Sequence, residues 1–537
     1  MKRKTRNRTS PEGSGYRLSI GEDKKDDEIN VKAPLYEALL RYKERRDASF
    51  HVPGHKNGMS YGEGDLGKEL SQVMEIDVTE ITGTDDLHHP EGVIREAQLL
   101  AAETFGAEES FFLVGGSTAG NLALILSVCT APGDVLLVQR NVHKSVIHGL
   151  MLANAHAVFL APQHDAGSGL ATIPSEATVR EALRRYPGAK GLLVTHPNYY
   201  GMGSSLRPLA ALCRASGVPL LVDEAHGAHY GLHPALPESA LQAGADGVVQ
   251  STHKMLTALT MGAMLHVQGG LLDRGLLRQR LAMVQSSSPS YPIMASLDLS
   301  RSQIQSGGQA YFEGGLAAAE KLRLGVQAHP NFGILEPGAR GEGAAYAIQD
   351  PFKAILYDRT GRWSGYELQE KLEEEGCVPE MSDDRYTVLA LSLATTEEDI
   401  TRLLQALERI EATRARDTTS EQRKPQNPPS FEFSTWNNAA VSTPVAFGLR
   451  PLSPNDRETL PLEQCAGRLA GEMVIPYPPG IPLLYPGEEI GEQTLKQLIA
   501  LRQAKAKCQG AADSTLSTLQ VIKEIAPKAK ERKQGTN

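Results

Sequence analysis

Short apolar runs alternate with longer amphipathic stretches between residues 110 and 267. The runs occupy residues 110–114, 134–139, 157–161, 191–196, 219–223, 247–250 and 263–267. Any one of them could be part of a buried helix, but a series separated by helical patterns favours strands. The pattern therefore predicts an α/β fold in which helices cover a mostly parallel central sheet.

The regions on either side of this series predict further helices. Residues 33–47 predict an amphipathic helix, and residues 93–105 predict a second helix that Gly106 closes. Between them, the glycine-rich stretch 53–67 predicts a loop. A later helix is expected to begin at Thr396, because apolar residues follow this N-cap at helical spacing. Those apolar residues are Ile400, Leu403, Leu404, Leu407 and Ile410.

These patterns divide the chain into five predicted segments. Residues 1–30 are polar and carry two blocks of opposite charge, which predicts a flexible tail. We expect an N-terminal arm with the large domain at 31–300 and a smaller α+β domain at 301–412. Residues 413–430 are polar and contain proline, which indicates a linker. Residues 431–537 then form a C-terminal domain.

Composition narrows the classes of function. The chain has 537 residues, a net charge of −9 and a pI near 6.0, which argues against a nucleic-acid or anionic-membrane surface. No stretch approaches 18 consecutive apolar residues, and the basic start lacks the apolar core of a secretory signal. The five cysteines form no CxxC pair, so neither a disulfide framework nor a metal site is expected. We expect a cytoplasmic protein.

A lysine follows the run at 247–250 in the sequence Ser251-Thr252-His253-Lys254. Such a lysine can form a Schiff base with an aldehyde cofactor if it is desolvated enough to lose its proton. Taken alone, a lysine after a strand is more often a solvated turn residue. Asp223 ends the run at 219–223, and His226 follows it. An Asp at this position can pair with the protonated ring nitrogen of pyridoxal phosphate, or it can cap the next turn.

Two further strand ends carry groups that suit the same cofactor. Gly115 and Gly116 lead from the first run into a helical pattern, where Ser117, Thr118 and free backbone N–H groups can bind a phosphate. His143 follows the run at 134–139 and could stack on a cofactor ring. Ligands of open α/β sheets gather at the carboxyl ends of strands, so these groups are expected to converge.

The chain resembles the ornithine/lysine/arginine decarboxylases, which have the pyridoxal-phosphate-dependent aspartate-aminotransferase fold. It is most similar to the compact bacterial arginine decarboxylases of the biosynthetic type, over roughly residues 33–525. The resemblance rests on Phe-His-Val-Pro-Gly-His-Lys-Asn-Gly (50–58), Asp-Asp-Leu-His-His-Pro-Glu-Gly (85–92), Asn-Val-His-Lys-Ser (141–145), Asp-Glu-Ala-His-Gly-Ala-His (223–229), Ser-Thr-His-Lys (251–254), Ser-Ser-Pro-Ser-Tyr (287–291) and Tyr-Pro-Pro-Gly-Ile-Pro (477–482).

The resemblance implies roles for individual residues. Lys254 would carry pyridoxal phosphate, Asp223 would hold the proton on its ring nitrogen, and His143 would stack on its ring. His226 would lie near the ring oxygen or the carbonyl side. Phosphate or cofactor contacts are implied for Ser117, Thr118, Ser251 and His253.

The resemblance also implies a homodimer or tetramer with the active site at the dimer interface. Ser287 and Ser288 match a segment that reaches into the partner's phosphate site, and Tyr291 could border the same pocket. His55 and Lys56 are expected near the mouth of the active site. The chain lacks the amino-terminal wing domain of larger relatives, which disfavours higher assemblies.

The implied reaction is decarboxylation of a basic L-amino acid. Arginine, giving agmatine and CO2 for polyamine biosynthesis, is preferred over lysine and then ornithine. Carboxylates proposed for the distal cation are Asp85, Asp86, Glu432, Glu472 and Asp513, with Glu472 and Asp513 favoured. An aminotransferase or another enzyme of the same fold stays open, because Arg385 could hold a substrate carboxylate. A non-enzymatic paralogue is a third possibility.

Overall fold

A computed structural model describes residues 32–61, 67–336, 345–414, 439–477, 480–504 and 506–523. The predicted tail at 1–30 and Glu432 lie outside these residues. So does the predicted linker, apart from Thr413 and Arg414, which belong to the preceding helix. Within the described residues, no helix is both long and apolar enough to cross a membrane.

An eight-stranded sheet forms the centre of the protein. Its strands, in spatial order, are β1 (Glu109–Leu113), β8 (Ala263–Val267), β7 (Gly247–Gln250), β6 (Leu220–Asp223), β4 (Leu192–Thr195), β2 (Val135–Gln139), β3 (His156–Leu160) and β14 (Val445–Ala446). Only β8 and β14 run against the direction of the other six. Each of the seven predicted runs is a strand within one residue at either end, which confirms the mostly parallel sheet.

Both faces of this sheet are buried. On β2, Leu137 belongs to one hydrophobic core while Leu136 and Val138 belong to another, because successive side chains point to opposite faces. The helices that accompany the sheet are α1 (Pro34–Arg45), α2 (Lys68–Met74), α3 (Val93–Phe105), α4 (Gly116–Val128), α5 (Lys144–Ala153), α6 (Glu176–Arg185), α7 (Arg207–Ala215), α8 (Thr252–Met255), α9 (Arg274–Val284) and α10 (Tyr291–Gly307). The two helices predicted before the sheet correspond to α1 and α3. Gly106 closes α3 with a φ of 74°.

A smaller antiparallel sheet follows α11 (Ala310–Ala328). Its order is β12 (Met381–Ser382), β13 (Thr387–Ala390), β11 (Lys353–Asp358) and β9 (Phe332–Ile334). Helices α12 (Gly365–Glu374) and α13 (Glu397–Arg414) complete this unit. Thr396 accepts a hydrogen bond at 3.2 Å from the backbone N–H of Asp399, which confirms the predicted N-cap of α13. A two-stranded pair, β5 (Met202–Gly203) with β10 (Ile348–Gln349), connects this unit to the loop after β4.

The C-terminal segment does not begin as a separate domain. Its first strand, β14, pairs with β3 and becomes the edge of the central sheet, where it satisfies backbone groups that β3 would otherwise leave unpaired. After it come the pairs β15 (Arg457–Pro461) with β18 (Thr518–Ile522) and β16 (Ile475–Pro476) with β17 (Cys508–Gln509), and helix α14 (Glu492–Gln503). Short 3-10 helices occupy Met59–Tyr61, Pro454–Asp456 and Leu462–Gln464. The later part of the segment has its own hydrophobic core.

A buried ion pair joins the C-terminal segment to the large sheet. Arg140, the residue after β2, donates to both carboxylate oxygens of Glu488 at 2.8 Å and to the carbonyl oxygens of Pro482 and Leu483. Its guanidinium also lies 4.8 Å from the ring centre of Tyr485. The pair is almost completely shielded from solvent. It therefore fixes residues 482–488 beside the end of β2.

Candidate active site

The parallel strands bring the predicted groups to one edge of the central sheet. Lys254 lies in α8, immediately after β7, and its Nζ is 3.1 Å from Nε2 of His226. The same Nζ is 5.5 Å from the ring centre of Tyr199, and this ring lies 4.4 Å from that of His226. A lysine, an imidazole and a phenol ring therefore form the centre of the site.

The surroundings of Lys254 favour its neutral amine. Burial lowers the pKa of Lys254; the carboxylate of Asp223 opposes this effect, and the positive charge of Lys353 adds to it. Burial and the charge of Lys254 also hold the pKa of His226 well below its ordinary value. A lower pKa makes a lysine amine a better nucleophile toward a carbonyl group.

Asp223 ends β6 and is almost fully buried. Asn121 Nδ2 donates to its Oδ2 at 2.8 Å, and the backbone N–H of Ala225 donates to its Oδ1 at 3.2 Å. Burial raises the pKa of Asp223, while Asn121 and Lys254 act to lower it. Because these two donors are neutral, the carboxylate is suited to a further cationic donor such as a protonated pyridine nitrogen.

His143 is held by a short hydrogen-bond network. Asn121 Nδ2 donates to Ser145 Oγ at 3.0 Å, and this hydroxyl lies 2.9 Å from Nδ1 of His143. The backbone N–H of Ser145 also donates to Nδ1 at 3.2 Å, so the proton of the neutral ring belongs on Nε2. Burial, followed by the charge of Lys254, lowers the pKa of His143 to about 4. The network fixes a neutral ring at the end of β2.

The start of α4 provides an anion site at the same edge. Gly115 and Gly116 supply no capping side chain, and the hydroxyls of Ser117 and Thr118 stand in the first turn. At Gly120 a Cβ would lie 2.8 Å from side-chain atoms of Leu113 and Val249, so the glycine allows α4 to pack closely against β1 and β7. The N–H of Gly116 donates to the carbonyl oxygen of Met261 at 3.0 Å, while the helix dipole and the other N–H groups of the first turn favour a bound phosphate.

Several buried polar atoms in the site have no hydrogen-bond partner among the described residues. They are His226 Nδ1, Asn121 Oδ1 and Ser251 Oγ. Ser251 lies between β7 and Lys254, whereas His253 uses Nδ1 to contact the carbonyl oxygen of Gly262 at 2.9 Å. Unsatisfied buried groups are costly, so a polar ligand is expected at these three atoms. An aldehyde cofactor with a pyridine ring and a phosphate group would suit this set of donors and acceptors.

Other predicted residues lie apart from this cluster. Ser287 and Ser288 are exposed between α9 and α10, and their role in a partner's site stays a prediction. Tyr291 donates to the carbonyl oxygen of Asp85 at 2.5 Å. His55 pairs with Asp77 at 3.2 Å, and Lys56 donates to the carbonyl oxygen of His51 at 2.7 Å. These three contacts hold the loop and do not involve Lys254.

The carboxylates proposed for a distal cation are engaged by backbone groups. Asp85 accepts from four N–H groups around the start of α3, at Glu91, Gly92, Ile94 and Arg95. Burial acts to raise its pKa, but backbone hydrogen bonds outweigh this effect and keep the pKa low. Asp86, Glu472 and Asp513 also accept backbone N–H groups, so each is a poor guanidinium ligand.

Arg385 does not contact the lysine cluster. Its guanidinium carbon lies 5.0 Å from the ring centre of Tyr386 and 5.8 Å from that of Tyr357. Its position therefore gives no support to a carboxylate-binding role for Arg385.

Some residues of the site belong to no motif that can be recognised in the sequence. Tyr199 enters from the loop after β4, and Asn121 lies in the second turn of α4. Lys353 and Glu380 come from the smaller sheet, and the charge of each acts on Lys254. Both residues are far from Lys254 in the sequence, so the effect of their charges on it is evident only in the folded structure.

The C-terminal segment packs against His143 through Gly480. The carbonyl oxygen of Gly480 accepts from the N–H of Lys144 at 3.0 Å. A Cβ at this position would lie 3.1 Å from Nε2 of His143 and 3.4 Å from the ring of Tyr477. Gly480 also has a φ of 87°, which disfavours other residues. The segment therefore limits the space around the predicted ring-stacking histidine.

Replacement of Gly480 by Ala is expected to lower kcat/KM by about 10-fold or more, because a small displacement of an active-site group is costly. The measurement is the steady-state rate with the preferred amino acid. Gly487→Ala is the matched control, since Gly487 has a φ of 88° but open space around its Cβ. Equal losses in the two variants would show that backbone strain alone is responsible.

Family models and individual relatives of this chain point to the same family. The family model described as Orn/Lys/Arg decarboxylase, major domain, matches residues 33–341, and the model of the C-terminal domain matches residues 436–515. The uncharacterized protein YaaO of Bacillus subtilis (strain 168) is 41% identical over 482 residues, which are 89% of this chain and 96% of that protein. An arginine decarboxylase of Bacillus anthracis is 34% identical over 505 residues, or 92% of this chain and 98% of that protein.

Solved structures show the same fold. The Francisella novicida lysine decarboxylase LdcF superposes with a TM-score of 0.75 at 20% identity, covering 92% of this chain and 82% of that structure. The Escherichia coli constitutive lysine decarboxylase gives 0.74 at 22% identity, with the same coverage. The two family models together span most of the sequence, including every strand of the central sheet. The chain therefore belongs to the Orn/Lys/Arg decarboxylase family.

Proposed function

We propose that this protein is a pyridoxal-phosphate-dependent decarboxylase of a basic L-amino acid, with L-arginine as the preferred substrate and agmatine and CO2 as products. The observation that carries the proposal is the contact of Lys254 Nζ with His226, at the sheet edge where Asp223 and the start of α4 also lie. The preference for arginine rests on the names of relatives that are about one third identical in sequence.

Different residues of the site would hold different parts of the cofactor. Lys254 would bind its aldehyde carbon, Asp223 would keep the ring nitrogen protonated, and the neutral ring of His143 would stack against the pyridine. Ser117, Thr118 and Ser251, with the free N–H groups of α4, would hold the phosphate. When bound, pyridoxal phosphate supplies an electron sink for the pair of electrons that remains when CO2 departs.

Lys254 and His226 are placed to move a proton. Their nitrogen atoms lie 3.1 Å apart, and burial favours the neutral form of both groups. One of them, once it has taken up a proton, can deliver that proton to Cα of the substrate after the carboxylate has left. Tyr199 covers both groups and restricts access of water to them.

An acidic cleft supports a substrate with a distal cation. It has a volume of about 380 Å³ and lies between the small sheet unit and the C-terminal segment. Three carboxylates, Glu370, Glu373 and Glu380, line it with one lysine, Lys507, and with Tyr477, which packs beside Gly480. Among these three carboxylates, Glu380 is the one whose charge also acts on Lys254. Glu380 is therefore our choice for the distal-cation ligand.

Replacement of Glu380 by Gln is expected to raise the KM for the basic amino acid by about 10-fold, because a charge-assisted contact is lost at a partly solvated site. We expect kcat to change less than KM. Glu374→Gln is the matched control, since Glu374 lies on α12 but does not line the cleft. An unchanged KM in Glu380→Gln would place the distal-cation site elsewhere.

Product analysis tests the function directly. Purified holoenzyme would be offered L-arginine, L-lysine and L-ornithine separately, and products would be identified by mass spectrometry. Agmatine from arginine alone is expected. Cadaverine or putrescine instead would keep the reaction and change the substrate, whereas a keto acid would indicate an aminotransferase. No amine from any of the three would overturn the proposed function.

We also propose a cytoplasmic role in polyamine biosynthesis and a homodimer or tetramer. In this assembly Ser287 and Ser288, which are exposed in the single chain, would reach the phosphate site of the partner. No nucleic-acid or membrane partner is proposed, in keeping with the net charge of −9. Sedimentation of the holoenzyme, with activity measured across a dilution series, tests whether the assembled form is the active one.

A further inference from the structure

Lys353 is a buried lysine outside the strand-end motifs. It begins β11 in the smaller sheet, and only 4% of its surface is exposed. Its ammonium group makes no hydrogen bond or ion pair with any residue that the structure describes. Burial accordingly lowers its pKa. Burial disfavours the charged form of a lysine that has no counter-ion, so an anion bound beside Lys353 would stabilise its ammonium group when the protein works.

The backbone around Lys353 fixes where the stem of its side chain lies. Asp350 donates its N–H to the carbonyl oxygen of Gly201 at 2.9 Å, and its Oδ1 accepts from His229 at 3.0 Å. At Gly201, where φ is 73°, a Cβ would lie 2.6 Å from Cβ of Lys353. The stem of Lys353 thus lies against the loop that carries Tyr199, the ring beside Lys254.

The charge of Lys353 acts on the lysine cluster. It lowers the pKa of both Lys254 and His226, and its stem packs on the loop that carries Tyr199. The nearby carboxylates, Asp350 and Glu380, raise the pKa of Lys353, but neither forms an ion pair with it. Oδ1 of Asp350 is already engaged by His229 and the N–H of Phe352. Oδ2 of Asp350 is buried without a hydrogen-bond partner, yet no carboxylate of the described residues lies within ion-pair distance of the Lys353 ammonium group, so a ligand could take that place.

We propose that Lys353 binds the α-carboxylate of the amino-acid substrate. The phosphate of the cofactor has its own site at the start of α4, so the carboxylate is the anion that must enter the space beside Lys254. This assignment rests on the proposed function, because that function supplies the amino acid. It gives the site a way to distinguish substrate from product, since the ion pair disappears when CO2 leaves.

Paired binding measurements test the assignment. Lys353→Met keeps the length of the side chain and removes its charge, whereas Lys353→Arg keeps the charge. For the holoenzyme, we expect Lys353→Met to raise the KM for arginine about 10- to 100-fold while the inhibition constant of agmatine changes less than about 3-fold. Lys353→Arg should recover part of the loss for arginine. Lys321→Met, on the exposed surface of α11, is the control.

The outcomes separate this inference from the proposed function. If the wild-type holoenzyme forms no amine, the function fails, and calorimetric titration with arginine and agmatine still compares the two ligands. Weaker binding of arginine alone in Lys353→Met would then support carboxylate binding. Equal effects on both ligands, or none, would overturn it. The cofactor absorbance band and the melting temperature establish that each variant is folded, and Lys353→Gln replaces Lys353→Met if the latter is not.

Discussion

Lys254→Ala is expected to reduce kcat/KM for the basic amino acid by about 10⁴-fold or more. The variant removes the lysine that we propose bonds to the aldehyde carbon, which is also one of the two groups proposed to return a proton to Cα. The loss should fall mainly on kcat, because Asp223 and the start of α4 can still hold the cofactor without a covalent bond. The measurement is amine formation at saturating pyridoxal phosphate.

Two further measurements on Lys254→Ala accompany the rate of amine formation. The absorbance band of a lysine-bound cofactor should vanish in Lys254→Ala, and the variant should keep its melting temperature within a few degrees. Lys321→Ala removes an exposed lysine and should leave both the band and the rate unchanged. Retention of the band in Lys254→Ala would mean that another lysine carries the cofactor, and Lys353 would be examined first.

Glu488→Gln is expected to lower the free energy of unfolding by about 3–5 kcal/mol, because it leaves the guanidinium of Arg140 buried without its counter-ion. The remaining hydrogen bonds from Arg140 to the carbonyl oxygens of Pro482 and Leu483 cannot neutralise that charge. Urea unfolding measures the effect. Since the ion pair fixes the segment that carries Gly480 against His143, activity should also fall before global unfolding begins.

The control for this variant is an ion pair of the same type on the surface. Glu463 accepts from Arg502 at 2.6 Å, and Glu463→Gln should leave the unfolding midpoint unchanged. The double variant Arg140→Met with Glu488→Leu should be more stable than Glu488→Gln, because it removes both charges. Equal midpoints for Glu488→Gln and the wild type would show that solvent reaches the pair.

The sequence predicts the large sheet well because its strands are short apolar runs with helical patterns between them. The run at 247–250 is β7 residue for residue, and Asp223 ends β6 as expected. Strand β14 is a different case. Val445 and Ala446 are a strand only because β3 presents an open edge, and no periodicity within the C-terminal segment reveals that pairing.

The same distinction applies to the site. Lys254, Asp223, His143 and the start of α4 follow strands of one direction, so the rule for strand ends locates them together. Tyr199, Lys353 and Glu380 reach the site through tertiary packing, and none belongs to a short motif. Asp85 binds backbone N–H groups at the start of α3, and an Asp before a helix has as much reason to do so as to bind a substrate.

The pairing of β14 with β3 also matters while the chain is being made. Val445 lies about 290 residues after its partner Ala157, so synthesis at the usual rates leaves the edge of β3 open for roughly 15 to 60 s. During that time the nascent protein carries an unpaired strand with a hydrophobic surface, which other chains can join. The vulnerable stage in producing this protein is therefore the interval before its last fifth emerges from the ribosome, and slower synthesis would prolong it.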